Sequence, residues 1–291
     1  MNVSFLRSGI RLQGIIFLAV LAMAPALPAQ SGSGQQQQAP PSPKQDQSKP
    51  APTPQAQTEA PKIDPEEDAA YKAFYDLKSD NPDERIRLGE QFLQKYPSSP
   101  YASQVYAGLT QAYYGKEQYA KMYAAADKTL ALNPDNVDVL VLVGWVIPHN
   151  YDPNDLEAER RLDKAEGYLT HAIALLPSLP KPDSMTDEQF TKAKNENTAM
   201  AHSGLGLVYF RRQQAEKSAS ELDQAVKLSG KPDPVDYFVL GRDLQALKRY
   251  AESADAYQKC AQIPSGVQAA CKQRADDVKK LAASQPAPAK P

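Results

Sequence analysis

The stretch LTQAYYGKEQYAKMYAAADKTLALNP, Leu109 to Pro134, decides the fold. It holds two runs whose apolar residues recur every three or four positions, the spacing of amphipathic helices. Gly115 stands between the runs, and Asn133-Pro134 closes them. Proline ends a helix because it has no N–H to donate and clashes with the preceding turn. The same pairing of helices recurs along the chain, so the unit is a repeated helical hairpin.

The register of the repeat is set by Gly144, Gly206 and Gly241. Each follows an aliphatic residue (Val143, Leu205, Leu240), and each precedes a bulky apolar residue by three (Ile147, Tyr209, Leu244). Glycine within a helix costs about 1 kcal/mol against alanine, so three in one register imply close approach by a second helix. Leu109-Thr110 with Tyr113 is a fourth copy, with threonine in place of glycine. The second helices keep their own register. Leu222 and Ala225 match Tyr257 and Cys260; Ala165, Leu169 and Ala172 precede Pro177; Met122, Ala126 and Thr129 precede Pro134. The run VDVLVLVGWVI is ambiguous by itself, and its place in the repeat makes it a helix.

This pattern resembles the tetratricopeptide repeat (TPR), a helix–turn–helix of about 34 residues. The match is carried by Tyr106, Leu109, Tyr113, Tyr119, Leu130 and Pro134, while Met122, Ala126 and Thr129 depart from the usual choices. The resemblance implies an all-α fold, an α-solenoid of about five hairpin units. They span 66–97, 103–134, 137–177, 199–230 and 234–265, with a helix over 266–283 capping the last face. Solenoids need such a polar-backed cap for solubility. The first unit is degenerate: Tyr71, Phe74 and Phe92 keep the apolar register, and Asp76 and Arg85 break it.

Two insertions interrupt the spacing. PHNYDPNDL, 148–156, enters the turn of the third unit, where Asn154 with Glu157 reads as a helix cap. Asp152, Asn154 and Asp155 suggest a calcium loop, but its central glycine and distal glutamate are missing. The second insertion, 178–198, lies between units three and four. Thr186 with Gln189 predicts a capping box there and a first helix lengthened to 187–212.

The 25 prolines cluster at the two ends. Residues 1–26 read as a signal peptide: Arg7 and Arg11, then the apolar run GIIFLAVLAMA, then Ala24-Pro25-Ala26 as a cleavage site. No cysteine follows the run, which argues against a lipid anchor; an uncleaved signal is the one route to a membrane. Residues 27–63 contain eight prolines, nine glutamines and no aromatic residue. Such a composition cannot bury enough apolar surface to offset chain entropy and predicts a disordered linker. The tail 284–291 is of the same kind, leaving 64–283 for the solenoid. Removing 1–26 takes away two arginines and no acid, moving the formal charge from −2 to −4. That balance argues against nucleic acid, which wants a clustered basic face.

No catalytic centre is legible. His149, His171 and His202 are too far apart to pair as metal ligands on one helix, and no phosphate loop or nucleophile signature is present. The expectation is a protein without enzymatic activity, metal or cofactor. Cys260 and Cys271, the two cysteines, would form a disulfide pinning the cap after export, or remain packed thiols.

In proteins similar to this one, the first helices of successive units line a concave groove that takes an extended peptide or a partner's helix. The corresponding positions are Gln111, Tyr114, Val141, Trp145, Leu207, Phe210, Arg211, Phe238 and Arg242. Tryptophan, tyrosine and arginine are enriched in binding hot spots; alternatively, Trp145 and Phe238 pack against the lengthened helix. The carboxylate-gripping type of this repeat has no counterpart here, since Ala107, Val141, Ser203 and Phe238 occupy its clamp positions. An apolar or acidic segment suits the groove better. A narrower resemblance, QFLQKYPSSPYASQVYAGLTQAYYGKEQY, is to repeats in bacterial outer-membrane assembly and Tol–Pal accessory proteins. Together these readings predict an exported adaptor or scaffold of the periplasm or cell envelope. The alternative is a self-associating spacer that makes its contacts through 148–156 and 178–198.

Overall fold

The computed structural model describes residues 64–77 and 81–284. The readings for 1–26 and 27–63, and for all but the first residue of 284–291, lie outside the described residues. Among the described residues every regular element is helical. The order is α1 (Pro65–Tyr75), α2 (Pro82–Lys95), α3 (Ala102–Gly115), α4 (Tyr119–Leu132), α5 (Val137–His149), α6 (Ala158–Leu175), α7 (Asp187–Arg211), α8 (Ala215–Leu228), α9 (Pro234–Ala246), α10 (Tyr250–Gln262) and α11 (Gln268–Ala283). A short 3-10 turn, Leu176–Ser178, follows α6.

Consecutive helices pair as the hairpins α1/α2, α3/α4, α5/α6, α7/α8 and α9/α10. Each hairpin rests on the next through α2/α3, α4/α5, α5/α7, α6/α7 and α8/α9, and α11 covers α10. The buried side chains accordingly fall into successive clusters along the stack. This is an α-solenoid of five hairpins and a terminal helix.

The glycine register has a single structural cause. A Cβ on Gly144 would stand 2.5 Å from Leu169 Cγ, one on Gly206 2.5 Å from Leu222 Cγ, and one on Gly241 2.9 Å from the Tyr257 ring. At each position the second helix of the same hairpin drives a bulky side chain onto bare backbone. Thr110, fully buried at the equivalent place, donates its hydroxyl to the Tyr106 carbonyl (2.8 Å). The ambiguous run folds as α5 and is buried from Val139 through His149. It is apolar on every side because α6 and α7 both cover it.

Helix starts follow capping chemistry in several units. Asp64, Asn81, Asn136, Thr186 and Asp233 each accept a first-turn backbone N–H. Thr186 and Gln189 form the reciprocal box, and α7 extends over 25 residues. Its added first half is anchored to α5, where Asn197 Nδ2 donates to Asp138 Oδ1 (3.2 Å). Asn154 is not a cap: α6 begins at Ala158, with Glu157 preceding it and making no side-chain cap bond. Asp152 and Asp155 instead fold the insertion on itself, accepting the backbone N–H groups of Asn154 and Glu157 (3.0 Å each). Arg85, an apparent misfit in the first unit, lies with its guanidinium 5.3 Å over the Phe74 ring and donates to the Leu77 carbonyl.

Gly206→Ala tests the crossing. Overpacking of this kind costs about 1–3 kcal/mol, against about 1 kcal/mol returned by alanine's helix propensity. A net loss of up to about 2 kcal/mol is expected in urea unfolding; a stabilised variant would contradict the close crossing.

Candidate functional site

The first helices α3, α5, α7 and α9 stand side by side through α3/α5, α5/α7 and α7/α9 contacts. Their shared face carries the positions predicted to bind a partner, and the structure divides those positions. Val141, Trp145 and Leu207 are buried. Val141 packs with Ala201 and Leu205 of α7, and Leu207 with Val235, Val239 and Leu240 of α9. Both are spent on holding neighbouring units together and are not groove surface.

Trp145 is only 5% exposed, so it is not an open anchor; it packs against the lengthened helix. Gly204 of α7 lets this happen, since a Cβ there would stand 3.1 Å from the Trp145 Cα. The indole N–H donates to Ser203 Oγ (3.2 Å), and the Ser203 hydroxyl donates to Asp236 Oδ1 (2.8 Å). One chain of hydrogen bonds thus joins α5, α7 and α9.

Gln111, Tyr114, Phe210, Arg211 and Phe238 are half-buried, and Arg242 is exposed. Phe238 turns toward its own hairpin and meets Tyr257 edge-on, centroids 5.9 Å apart. Arg211 is tied down: its Nε donates to the Pro148 carbonyl (3.1 Å), and its guanidinium lies 5.2 Å over Tyr151. Burial pushes it below the ordinary arginine pKa. Arg242 lies 4.9 Å over the Phe210 ring. The accessible part of the face is therefore Tyr114, Phe210 and Arg242, with Gln111 beside them.

Three titratable groups to which sequence reading gave no role lie under this surface. His149 lies tilted against the Trp145 ring (3.7 Å between centroids, planes 35° apart) and directs Nδ1 to the Trp145 carbonyl (2.7 Å). A carbonyl can only accept, so Nδ1 carries the proton and Nε2 is left as a buried acceptor without a partner. Burial lowers the imidazole to about 4. Asp236, fully enclosed, is raised well above the carboxylate range by burial and then by the neighbouring Asp233 carboxylate. Asp243, further along α9, is raised to about 6 by burial. Tyr114 is raised by burial, then by Tyr119, Asp233 and Glu117. The start of α9 is thus within electrostatic reach of the end of α3. The signal that could have shown the acids was the pair Asp233 and Asp236 at the start of a first helix.

The histidines are placed apart. His171 Nε2 lies 2.7 Å from Asp135 and His202 Nδ1 lies 2.6 Å from Glu221, each on a different element from His149. Cys260 and Cys271 face each other across the α10/α11 crossing and are joined as a disulfide, Cα atoms 5.8 Å apart. No described helix is long and apolar enough to cross a membrane.

No protein-family model matches the chain, and no curated protein matches it in sequence. Solved structures similar to it include TTC0263, a thermophilic TPR protein of Thermus thermophilus, at 16% identity and TM-score 0.45, covering 74% of this chain and 100% of that one. The MamA RS-1 ArsTM double mutant is similar at 16% identity and TM-score 0.48, covering 76% and 99%. A third is pilF of Pseudomonas aeruginosa, at 16% identity and TM-score 0.49, covering 76% and 95%.

Two pH experiments follow from these environments. Trp145, the single tryptophan, should keep constant fluorescence from pH 8 down to about 5 and change near 4, where His149 charges; a midpoint near 6.5 would mean a solvated imidazole. For stability, a carboxyl raised in the folded state favours folding below its unfolded pKa, about 3.9, and that contribution is lost as pH rises through the folded value. Asp236→Asn keeps the acceptor for Ser203 and removes the charge. Its melting temperature should fall less than the wild type's between pH 4 and 8, and parallel curves would contradict the buried carboxyl.

Proposed function

We propose that this chain is an exported, non-enzymatic protein-binding module, an adaptor or scaffold of the bacterial cell envelope. It takes a peptide or helix of a partner protein against the α3–α5–α7–α9 face. The observation that carries this reading is the Phe210–Arg242 stack, left partly open on that face together with the half-buried Tyr114. Aromatic and arginine side chains that are partly open, on a floor already fixed by buried hydrogen bonds, lose little entropy when a partner covers them. Export rests on the reading of residues 1–26, and the disulfide on the terminal helix suits an oxidising compartment. The linker reading of 27–63 fits a spacer between the solenoid and its point of origin.

The test is recovery of partners from an envelope fraction by wild type and by Phe210→Ala/Arg242→Glu. The variant should lose specifically recovered proteins while keeping the helical circular dichroism of the parent. Unchanged recovery with the fold intact would remove the face from the binding reaction.

A second reading, self-association, is favoured by one observation: Leu156, at the end of the first insertion, is fully exposed. Sedimentation at rising concentration distinguishes the two. Leu156→Asp should leave a monomer unchanged under the adaptor reading; an oligomer dissolved by that substitution would make the chain a spacer.

A further inference from the structure

At the edge of the binding face, where the turns of the second and third hairpins meet, lies a cavity of about 410 Å³. That volume is within the range of small-ligand sites. Tyr119, Tyr123 and Tyr151 form its aromatic walls, and Glu117 and Asp152 stand at its rim. The 148–156 insertion builds one side of it, so a regular hairpin would not have it. It adjoins the face directly. Tyr119 meets Tyr114 edge-on at 6.5 Å, and Tyr151 lies under Arg211 at 5.2 Å.

The chemistry of the lining selects a cation. Tyrosine faces attract ammonium and guanidinium groups through the ring quadrupole, by about 0.5–2 kcal/mol depending on desolvation. Tyr151 already holds the guanidinium of Arg211 in this way. At the rim, Arg161 is paired with Asp155 (3.2 Å), so these two charges offset each other. Glu117 and Asp152 have no ion-pair partner among the described residues. The Asp152 carboxylate is held in place by the backbone and side-chain N–H groups of Asn154 (3.0 and 3.2 Å). Glu117 sits on the left-handed turn, φ 57°, that joins α3 to α4. The cavity therefore has aromatic walls and two carboxylates without ion-pair partners at its mouth, against the single guanidinium of Arg211 on the Tyr151 ring.

We propose that this cavity receives the guanidinium or ammonium group of an arginine or lysine side chain carried by the partner segment that lies on the adjoining face. The assignment rests on the partner-binding reading above and adds a basic anchor residue to it. It changes the expected partner: a segment with an apolar or acidic stretch for Phe210 and Arg242 also needs one basic side chain placed to reach the tyrosines.

The test needs no knowledge of the partner. N-acetylarginine amide is titrated into the full protein, and the ring signals of Tyr119, Tyr123 and Tyr151 are followed by NMR. N-acetylcitrulline amide, its neutral counterpart, is the control. The arginine compound should shift all three rings and bind at least about tenfold more tightly than citrulline, a difference of about 1.4 kcal/mol. Glu117→Gln/Asp152→Asn, which alters only exposed carboxylates, should abolish most of that preference. Arg242→Glu should leave it intact, so failure of the face and failure of the cavity are separately visible. No ring shift, or an equal response to citrulline, would overturn the cation site. A stronger response to tetramethylammonium than to the arginine compound would replace the peptide side chain with a free organic cation and overturn the assignment to a partner.

Discussion

Within three hairpins, the distance between the helices is set by one kind of contact: a glycine of the first helix receiving a bulky side chain of the second. Gly144 receives Leu169, Gly206 receives Leu222 and Gly241 receives Tyr257. Because each glycine lacks a Cβ, the axes come close enough for alanines along the second helices to complete the seam. Ala165, Ala172 and Ala225 are all buried there. Close helices leave each hairpin thin, with apolar flanks it cannot cover alone. Stacking on the next hairpin covers them, and the α11 helix, polar on its outer side, ends the series. The array of first helices that forms one shared face is a consequence of this stacking.

The stacking is apolar, but the alignment of successive units is polar. Trp145, Ser203 and Asp236 link three consecutive first helices, and Asn197 with Asp138 links two of them a second time. Hydrophobic flanks alone tolerate sliding; directional bonds in a buried place do not, because any shift leaves a polar group unpaired. The cost is visible in the same place. Asp236 is enclosed beside Asp233, and His149 keeps an unpaired nitrogen beneath the tryptophan. The face is a pre-set surface in which the large tryptophan is structural and the smaller Phe210–Arg242 stack is presented.

Much of the architecture was legible because it depends on residues that are costly wherever the backbone does not require them. A glycine inside a helix is one, and its recurrence marked both the hairpin and the register. Thr186 with Gln189 marked a helix start in the same way. Further features were hidden for physical reasons. The turns at Glu117, Gln213 and Lys248 adopt positive φ near 60° without glycine, so no residue type marked them. Asn154 had the spacing of a cap, but Asp152 and Asp155 captured the local N–H groups first. Of the groove positions, Val141 and Leu207 were placed by counting along helices. Counting cannot tell a face open to solvent from one covered by the next hairpin. The tyrosine-lined cavity brings together α4, α5 and the insertion, and no local pattern joins them.

The central claim is that stability belongs to neighbouring hairpins and not to one shared centre. Amide hydrogen exchange followed residue by residue tests it most directly. Protection should peak in α5 and α7, which are covered on both sides, and decline stepwise toward α1 and toward α11. A single uniform protection level from Pro65 to Ala283, lost in one all-or-none opening, would contradict it.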